Sequence, residues 1–305
     1  MQIGIDIGGS HIGVGVVSEQ GKITTKKEIN LYENFKEEVN KEEKIRDMVI
    51  SLIRDILKQI GAPKCVIQKI GIACPGTIKE GIAKDIYNLN IKSLSLKKEL
   101  EEEFYTQVEI HNDAKCAGVA EKLYGSLQNY EDCVFLCLGT GIGGATFIGN
   151  QLLTPKTDAG SEYGHMIIQK DGIPCQCGNK GCFEKYASMS AFKKGVIRYF
   201  NIGENHQGVS SEAILQYLLE NKNEIEIQNY IEQYIDNLIL GIYNITRIIE
   251  PQAICLGGSF VYFHKILYTK LLEKLEEHKY KFHVPEIVLA RLGNDAGIIG
   301  SLYIE

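Results

Sequence analysis

Residues 133–153, CVFLCLGTGIGGATFIGNQLL, place a cluster of glycines between two apolar runs. This pattern predicts two β-strands joined by a tight turn. The start of the chain repeats it, since residues 2–17, QIGIDIGGSHIGVGVV, also place a glycine turn between apolar runs. Helical and strand patterns alternate after each hairpin, and residues 45–60 carry apolar side chains at helical spacing. The sequence therefore predicts an α/β architecture present in two copies, with a cleft between two lobes.

The composition is that of an ordinary globular protein. The 305 residues are enough for about two domains, and 44% hydrophobic with 24% charged residues excludes collagen, coiled coils and wholesale disorder. The net charge of −6 argues against binding nucleic acid through a broad basic surface. No apolar run approaches the roughly 18 residues of a membrane span, and the N-terminus does not have the pattern of a signal peptide. We therefore expect a cytoplasmic protein with no nucleic-acid or membrane partner.

The first glycine turn, residues 6–10 (DIGGS), is a candidate phosphate site. Gly8 and Gly9 let backbone N–H groups approach a phosphate closely, and Ser10 adds a hydroxyl. Asp6 could hold a Mg²⁺ ion that bridges phosphate oxygens. A plain hairpin turn is the alternative for this motif taken alone.

The second glycine turn, residues 139–144, contains the spacing GxGxxG. A dinucleotide-binding motif requires a helix directly after the glycines, but the residues that follow, ATFIGN, predict a strand. We therefore interpret this turn as a second phosphate-binding hairpin. A third glycine turn, residues 257–259, follows a predicted strand and could let an adenine or ribose approach the backbone.

Three cysteines and a histidine form a candidate metal site. His165, Cys175, Cys177 and Cys182 have the spacing H-x9-C-x-C-x4-C. Four such ligands are typical of a tetrahedral structural Zn²⁺ site, and they leave no position for a catalytic water. Free thiols on a loop are the alternative interpretation.

Three carboxylates are candidates for catalysis or binding. Asp113 follows a predicted strand and begins a predicted helix, so it is either a helix N-cap or a general base. Glu162 and Glu184 bracket the cysteine loop and would face one cavity if a metal folds it. Taken singly, each glutamate is more often a solvated surface group.

Four segments together resemble the ROK family of bacterial sugar kinases and sugar-sensing repressors. They are DIGGS (6–10), NDA (112–114), LGTGIGG (138–144) and ExGH…CxCGNxGCxE (162–184). The resemblance implies an actin-like, ribonuclease-H-like ATPase fold of two lobes, usually as a homodimer. Residues 1–115 would form the N-terminal lobe, with a helix of residues 294–305 packing back on it, and residues 116–293 the larger C-terminal lobe.

The resemblance also implies a role for each matching residue. Asp113 would be the general base, and His165 would serve both metal and sugar. The residues that would hold the sugar hydroxyls are Gly76, Asn88, Asn112, Glu162, His165 and Glu184. Those that would serve Mg²⁺ and the ATP phosphates are Asp6, Gly8, Gly9, Ser10, Thr140 and Gly141, with Gly257 and Gly258 near the adenosine.

The implied activity is ATP-dependent transfer of a phosphoryl group to the 6-hydroxyl of a hexose, with glucose as the default substrate. N-acetylmannosamine or N-acetylglucosamine is the alternative substrate, and a sugar-responsive regulator without kinase activity is the alternative function. Family repressors carry an N-terminal helix-turn-helix domain, whereas the hairpin here begins at residue 3, which favours a kinase. His11, His111 and Lys115 depart from the family pattern and weaken any statement about which sugar binds.

Overall fold

The structure is a computed structural model that describes residues 1–31, 40–86, 89–155, 161–202, 209–277 and 283–304. The chain divides into two compact units. Unit 1 contains Met1–Asn129, Leu152–Gly160 and Arg291–Glu305, and unit 2 contains Tyr130–Gln151 and Ser161–Ala290. Over the described ranges, none of the helices has the length and apolar character needed to span a membrane.

The elements alternate between strands and helices along most of the chain. The strands are β1 (Gln2–Ile7), β2 (His11–Val17), β3 (Ile23–Asn30), β4 (Lys69–Cys74), β5 (Thr77–Lys79), β6 (Ile82–Ile86), β7 (Ile91–Leu94), β8 (Gln107–Asn112), β9 (Cys133–Leu138), β10 (Ile142–Ile148), β11 (Gln151–Leu152), β12 (Ala253–Gly258) and β13 (Glu286–Leu289). The α-helices are α1 (Lys41–Ile60), α2 (Lys97–Phe104), α3 (Asp113–Tyr124), α4 (Glu184–Ala187), α5 (Met189–Tyr199), α6 (Ser211–Glu220), α7 (Ile225–Ile249), α8 (His264–Glu277) and α9 (Asp295–Gly300). Short 3₁₀ turns occur at Lys64–Val66, Tyr163–His165 and Val261–Phe263.

The two five-stranded sheets have the same strand order. Their orders are β3-β2-β1-β4-β8 and β11-β10-β9-β12-β13. In each sheet the first hairpin is antiparallel, and the strands on the other side of its first strand are parallel. The predicted duplicated α/β architecture is therefore confirmed. After Gly144 the chain continues as strand β10, which confirms that GxGxxG here belongs to a hairpin.

Helix α1 shows how local sequence sets an element. Its buried face includes Ile45, Val49, Leu52 and Ile56, at the spacing that places side chains on one side of a helix. The side chain of Asn40 caps the N-terminus, and the helix ends at Gly61, whose φ of 65° is in the left-handed region. This face packs into the apolar core of unit 1.

Residues 184–199 form two helices and not one continuous helix. Ser188 is extended, with φ of −68° and ψ of 155°, and it separates α4 from α5. Its hydroxyl accepts a hydrogen bond from the backbone N–H of Ala191, so it acts as the N-cap of α5. Serine in this position favours capping over continuing a helix.

Helix α9 lies against the backbone of unit 1 at three glycines. A Cβ built on Gly4 would lie 1.9 Å from the Ile298 carbonyl oxygen, and one on Gly71 would lie 2.1 Å from that of Ser301. A Cβ on Gly300 would lie 1.7 Å from the carbonyl oxygen of Cys116. Any side chain at these positions would separate the elements, so glycine is required for residues 291–305 to pack on β1, β4 and α3.

The division of the chain differs from the predicted boundary at residue 115. That boundary falls inside α3, whereas unit 1 continues to Asn129. Helix α3 belongs to unit 1 because Ala120 packs with Ile298, Ile299 and Leu302 in one buried cluster.

Glu121 is a fully buried carboxylate that joins α3 to the returning chain. Its Oε1 accepts hydrogen bonds from the backbone N–H groups of Arg291 and Leu292, both at 2.8 Å. Its Oε2 accepts one from the N–H of Ser126 at 2.8 Å. Three backbone donors compensate the burial of this charge.

We expect Glu121→Gln to lower the free energy of unfolding by about 3 kcal/mol, because an amide NH₂ would face backbone donors that need an acceptor. Urea unfolding followed by circular dichroism measures the change. Glu102→Gln, at an exposed position of α2, is the matched control and should change stability by less than about 0.5 kcal/mol. Equal stability of Glu121→Gln and wild type would contradict the role given to this carboxylate.

Candidate functional site

Unit 1 places two carboxylates close together. Asp6 lies in β1 just before the glycine turn, and Asp113 begins α3 after β8. The pKa of Asp6 is raised from 3.8 to about 7. Burial is the larger cause, and the negative charge of Asp113 is the second. Gly297 in α9 leaves room for the Asp6 carboxyl group, because a Cβ there would lie 2.7 Å from Asp6 Cγ. Such a pair suits a divalent cation, which would favour the charged form of both carboxylates.

The cap of α3 is Asn112 and not Asp113. The Asn112 side-chain oxygen accepts a hydrogen bond from the N–H of Lys115 at 3.2 Å. The Asn112 side-chain NH₂ group donates to the Gly76 carbonyl oxygen at 3.2 Å, which brings together two residues predicted to bind sugar. Asp113 accepts from the N–H of Ala114 at 2.8 Å within the first turn. Since Asn112 is the cap, the N-cap interpretation of Asp113 is wrong.

The first glycine turn is held by backbone hydrogen bonds. The N–H of Gly8 donates to the carbonyl oxygen of His11 at 2.9 Å, and the N–H of Leu31 donates to the carbonyl oxygen of Ser10 at 2.8 Å. The Ser10 hydroxyl lies 3.3 Å from His11 Nδ1. The turn therefore presents Gly8, Gly9 and Ser10 in a fixed conformation next to Asp6.

Unit 2 brings the predicted metal ligands together. One ligand atom from each of His165, Cys175, Cys177 and Cys182 lies within 4.8 Å of all the others. Cys175 Sγ is 3.7 Å from His165 Nδ1, and Cys177 Sγ is 3.5 Å from Cys182 Sγ. Ligands of a tetrahedral Zn²⁺ with Zn–S bonds of about 2.3 Å stand about 3.8 Å apart. Both the donor set and its spacing fit a zinc ion, with Nδ1 as the imidazole ligand.

Glycines shape the metal loop. Gly178 and Gly181 have φ values of 91° and 78°. A Cβ on Gly181 would also lie 1.7 Å from the Gln169 carbonyl oxygen. Both the left-handed conformation and the close contact exclude a larger residue at position 181.

Glu184 lies between the metal cluster and the second glycine turn. Its Oε1 accepts a hydrogen bond from the Cys175 thiol at 3.2 Å. A Cβ on Gly141 would lie 2.5 Å from its Oε2. Glycine at position 141 therefore lets a residue predicted to bind sugar contact a turn predicted to bind phosphate.

The second glycine turn is joined to α5 and lies beside β12. The N–H of Ser190 donates to the Gly139 carbonyl oxygen at 3.1 Å. In the parallel pair of β12 with β9, Gly257 and Gly258 stand opposite Cys137 and Leu138, at the start of this turn. The two predicted nucleotide-binding glycine turns of unit 2 are thus neighbours.

A groove of about 330 Å³ beside α5 adds positive charge that the sequence analysis missed. Its lining includes Thr140, Glu184, Ser188, Lys185, Lys194 and Arg198. Three of these residues are cationic, namely Lys185, Lys194 and Arg198. Within the part of the chain that the structure describes, none of the three forms an ion pair with a carboxylate. The spacing of Lys194 and Arg198, four residues apart on a helix that follows Glu184, is the signal that could have identified them.

Each unit thus assembles part of the predicted site. Unit 1 carries Asp6, Gly8, Gly9, Ser10, Gly76, Asn112 and Asp113, and unit 2 carries Thr140, Gly141, Glu162, His165, Glu184, Gly257, Gly258 and the three cysteines. Asn88, predicted to bind sugar, lies outside the described residues.

Comparison with known proteins finds one family over the full length. The profile of the ROK family matches residues 2–305. A glucokinase of Thermotoga maritima is 30% identical over 315 residues, which cover 99% of this chain and 96% of that protein. A xylose repressor of Bacillus subtilis is 27% identical over 302 residues, covering 98% of this chain and 75% of the repressor. An N-acetyl-D-glucosamine kinase of Escherichia coli O127:H6 is 27% identical and covered over 99% of its length.

The fold has solved counterparts. The crystal structure of a ROK family glucokinase from Streptomyces griseus, in complex with glucose and AMPPNP, aligns with a TM-score of 0.80. The alignment covers 98% of this chain and 97% of that one, at 23% sequence identity. This likeness establishes the actin-like α/β fold.

We expect the purified protein to contain one zinc ion per chain and Cys182→Ser to lose it, because a hydroxyl replaces a buried thiolate ligand. Plasma mass spectrometry measures the zinc, and the absorption spectrum after cobalt substitution reports the ligand set. Cys65→Ser is the control, since Cys65 is exposed and outside the cluster. Full zinc content in Cys182→Ser would exclude the proposed ligand set.

We also expect Asp6 to make stability depend on pH. Its pKa is about 7 in the folded chain against an ordinary value of 3.8. As pH rises through this interval the unfolded chain releases the proton and the folded chain keeps it, so stability falls and then levels off above pH 7. At 1.36 kcal/mol per pKa unit, and with the folded carboxyl already half ionised at pH 7, the fall between pH 5 and pH 7 is about 2 kcal/mol.

Asp6→Asn cannot ionise and should lack this part of the pH dependence. Urea unfolding at several pH values measures it, with Asp55→Asn on the exposed face of α1 as the control. The same slope in Asp6→Asn as in wild type would show that Asp6 is not the group responsible.

Proposed function

The chain belongs to the ROK family, and from that premise we propose that it is an ATP-dependent sugar kinase. It transfers the γ-phosphoryl group of ATP to the 6-hydroxyl of a hexose, with glucose as the first substrate to test. The observation that carries this proposal is the pair of carboxylates Asp6 and Asp113 in unit 1, close enough for one to raise the pKa of the other. Phosphoryl transfer needs a base for the attacking hydroxyl and a carboxylate for a divalent cation, and this pair offers both.

Asp113 is the proposed general base. As the sugar oxygen attacks the γ-phosphorus, its proton passes to the Asp113 carboxylate, the new P–O bond forms and ADP leaves. The hydrogen bond from the N–H of Ala114 fixes one carboxyl oxygen of Asp113. Asn112 and Gly76, already joined to each other, are proposed to hold sugar hydroxyls.

Asp6 is the proposed ligand of Mg²⁺, which would neutralise charge on the phosphates when bound. Gly8, Gly9 and Ser10 in unit 1 would contact phosphate oxygens through backbone N–H groups and the serine hydroxyl. In unit 2, Thr140 and Gly141 would do the same, with Gly257 and Gly258 near the adenosine. The cationic groove beside Thr140 adds favourable charge for an anionic donor.

In unit 2, Glu162, His165 and Glu184 are proposed to bind the sugar. His165 Nδ1 lies on the side of Cys175, so Nε2 is the nitrogen left for a hydroxyl. A zinc ion, when bound, supplies the crosslink that fixes the loop and the orientation of this imidazole. Glu184, between the metal cluster and Gly141, would hold a sugar hydroxyl next to the phosphate turn.

Two alternatives rest on the relatives. The similarity to an N-acetyl-D-glucosamine kinase over 99% of that protein supports an N-acetylhexosamine as substrate. The similarity to a xylose repressor supports a sugar-responsive regulator. The homodimer implied by the resemblance and the cytoplasmic location expected from the sequence stay predictions.

We expect Asp113→Asn to lower kcat by at least about 10³-fold, because the amide cannot accept the hydroxyl proton. A coupled assay of ADP release with ATP and Mg²⁺ over glucose, mannose, N-acetylglucosamine and N-acetylmannosamine measures it. Calorimetry should show sugar binding within about threefold of wild type, since Asp113 acts chiefly on the transition state. Asp55→Asn is the control.

Turnover on one sugar that is lost in Asp113→Asn would support the kinase and identify its substrate. Tight sugar binding without turnover on any sugar would instead favour the regulator. Undiminished kcat in Asp113→Asn would remove Asp113 from the role of base.

A further inference from the structure

Three hydroxyl groups meet in unit 2 beneath the segment that carries Glu162 and His165. The Thr146 hydroxyl, in β10, lies 3.0 Å from that of Ser161 and 2.5 Å from that of Tyr163. Thr146 is fully buried and Tyr163 is 9% exposed. The Thr146 hydroxyl can donate to one of the other two and accept from the second, so this buried group is satisfied without water.

The ring of Tyr163 packs closely against β10, because Gly144 has no side chain. A Cβ on Gly144 would lie 2.7 Å from Tyr163 Cδ2. Gly144 and Thr146 are two residues apart and so share one face of the strand. The ring therefore contacts β10 at Gly144, and its hydroxyl reaches Thr146 on the same face. Gly164, whose Cβ would lie 2.4 Å from the Ile142 carbonyl oxygen, brings the next residue equally close.

Ser161, at the start of segment 161–165, is also restrained. Its φ of 63° is in the left-handed region, which a serine rarely adopts. A conformation that is unfavourable for the residue persists only when its surroundings hold it there. The hydrogen bond between the Ser161 and Thr146 hydroxyls supplies such a restraint.

Glu162 is thus exposed while both of its neighbours are fixed. Its side chain is exposed, and Ser161 and Tyr163 on either side both contact Thr146. The N–H of His165 donates to the Glu162 carbonyl oxygen at 3.0 Å, so the same restraint extends to the histidine. A ligand-binding side chain on a fixed backbone loses less entropy when it binds.

We infer that the hydroxyl cluster of Thr146, Ser161 and Tyr163 positions Glu162 and His165 for sugar binding, with Thr146 as its centre. The inference rests on the proposed function for the identity of the ligand. Thr146 contacts neither sugar nor metal in this scheme and acts through the segment 161–165, which makes it a positioning residue.

Thr146→Val tests this, because it keeps the branched shape and removes the hydroxyl. We expect KM for glucose to rise about tenfold while kcat stays within about twofold, since a loosened segment weakens sugar binding and leaves Asp113 untouched. Hydrogen exchange at the amides of His165 and Met166, both bonded within this turn, should become about tenfold faster. Thr146→Ser restores the hydroxyl and should return both quantities close to wild type.

Thr246→Val is the matched control. Thr246 is a buried threonine of unit 2 whose hydroxyl donates to the Ile242 carbonyl oxygen within α7. The Thr246→Val variant should be less stable than wild type, with no change in KM for glucose or in amide hydrogen exchange at His165 and Met166. Equal effects in the two valine variants, or wild-type KM and exchange in Thr146→Val, would overturn the inference. If the wild type phosphorylates and binds none of the sugars, the proposed function fails, and the exchange rates alone decide whether the cluster holds this segment.

Discussion

The backbone contact of α9 with β1, β4 and α3 is the constraint on which unit 1 depends. It requires glycine on the strands, as at Gly4 and Gly71, and on the helix itself at Gly300. The same helix leaves space for the carboxyl group of Asp6 at Gly297, so the burial that raises the pKa of Asp6 comes from this packing. The chemistry proposed for Asp6 is therefore a consequence of how closely two backbones approach.

Unit 2 uses a similar contact for a different purpose. There a 3₁₀ turn lies on β10, with Gly144 and Gly164 permitting the approach and the hydroxyl cluster fixing it. The turn then presents Glu162 and His165, while the cysteine loop brings thiol ligands to the imidazole of His165. In both units the polar groups proposed to bind ligand stand on backbone segments whose freedom is removed by glycine-mediated packing.

Local patterns predicted the duplicated hairpins, helix α1 and the metal cluster, because strand alternation, helical spacing and ligand spacing are all present in short stretches of sequence. They did not predict that Asn112 caps α3, since the choice between adjacent residues depends on where the strand ends. Nor did they reveal the contact of Thr146 with Ser161 and Tyr163, because fifteen or more residues separate these partners and only the folded sheet brings them together. The roles of the predicted ligand-binding residues stay predictions, as does Asn88.

Since unit 1 is assembled from both ends of the chain, the order of synthesis matters for its folding. Ile298, which covers Gly4, is translated about 290 residues after it, a delay of roughly 15 s to 1 min at about 5–20 residues per second. Over that time the nascent sheet of unit 1 exposes the apolar surface that residues 291–305 will cover. Every residue of unit 2 has been translated before those last residues of unit 1. Unit 1 is thus completed on the ribosome after unit 2, and until then its sheet keeps apolar surface exposed.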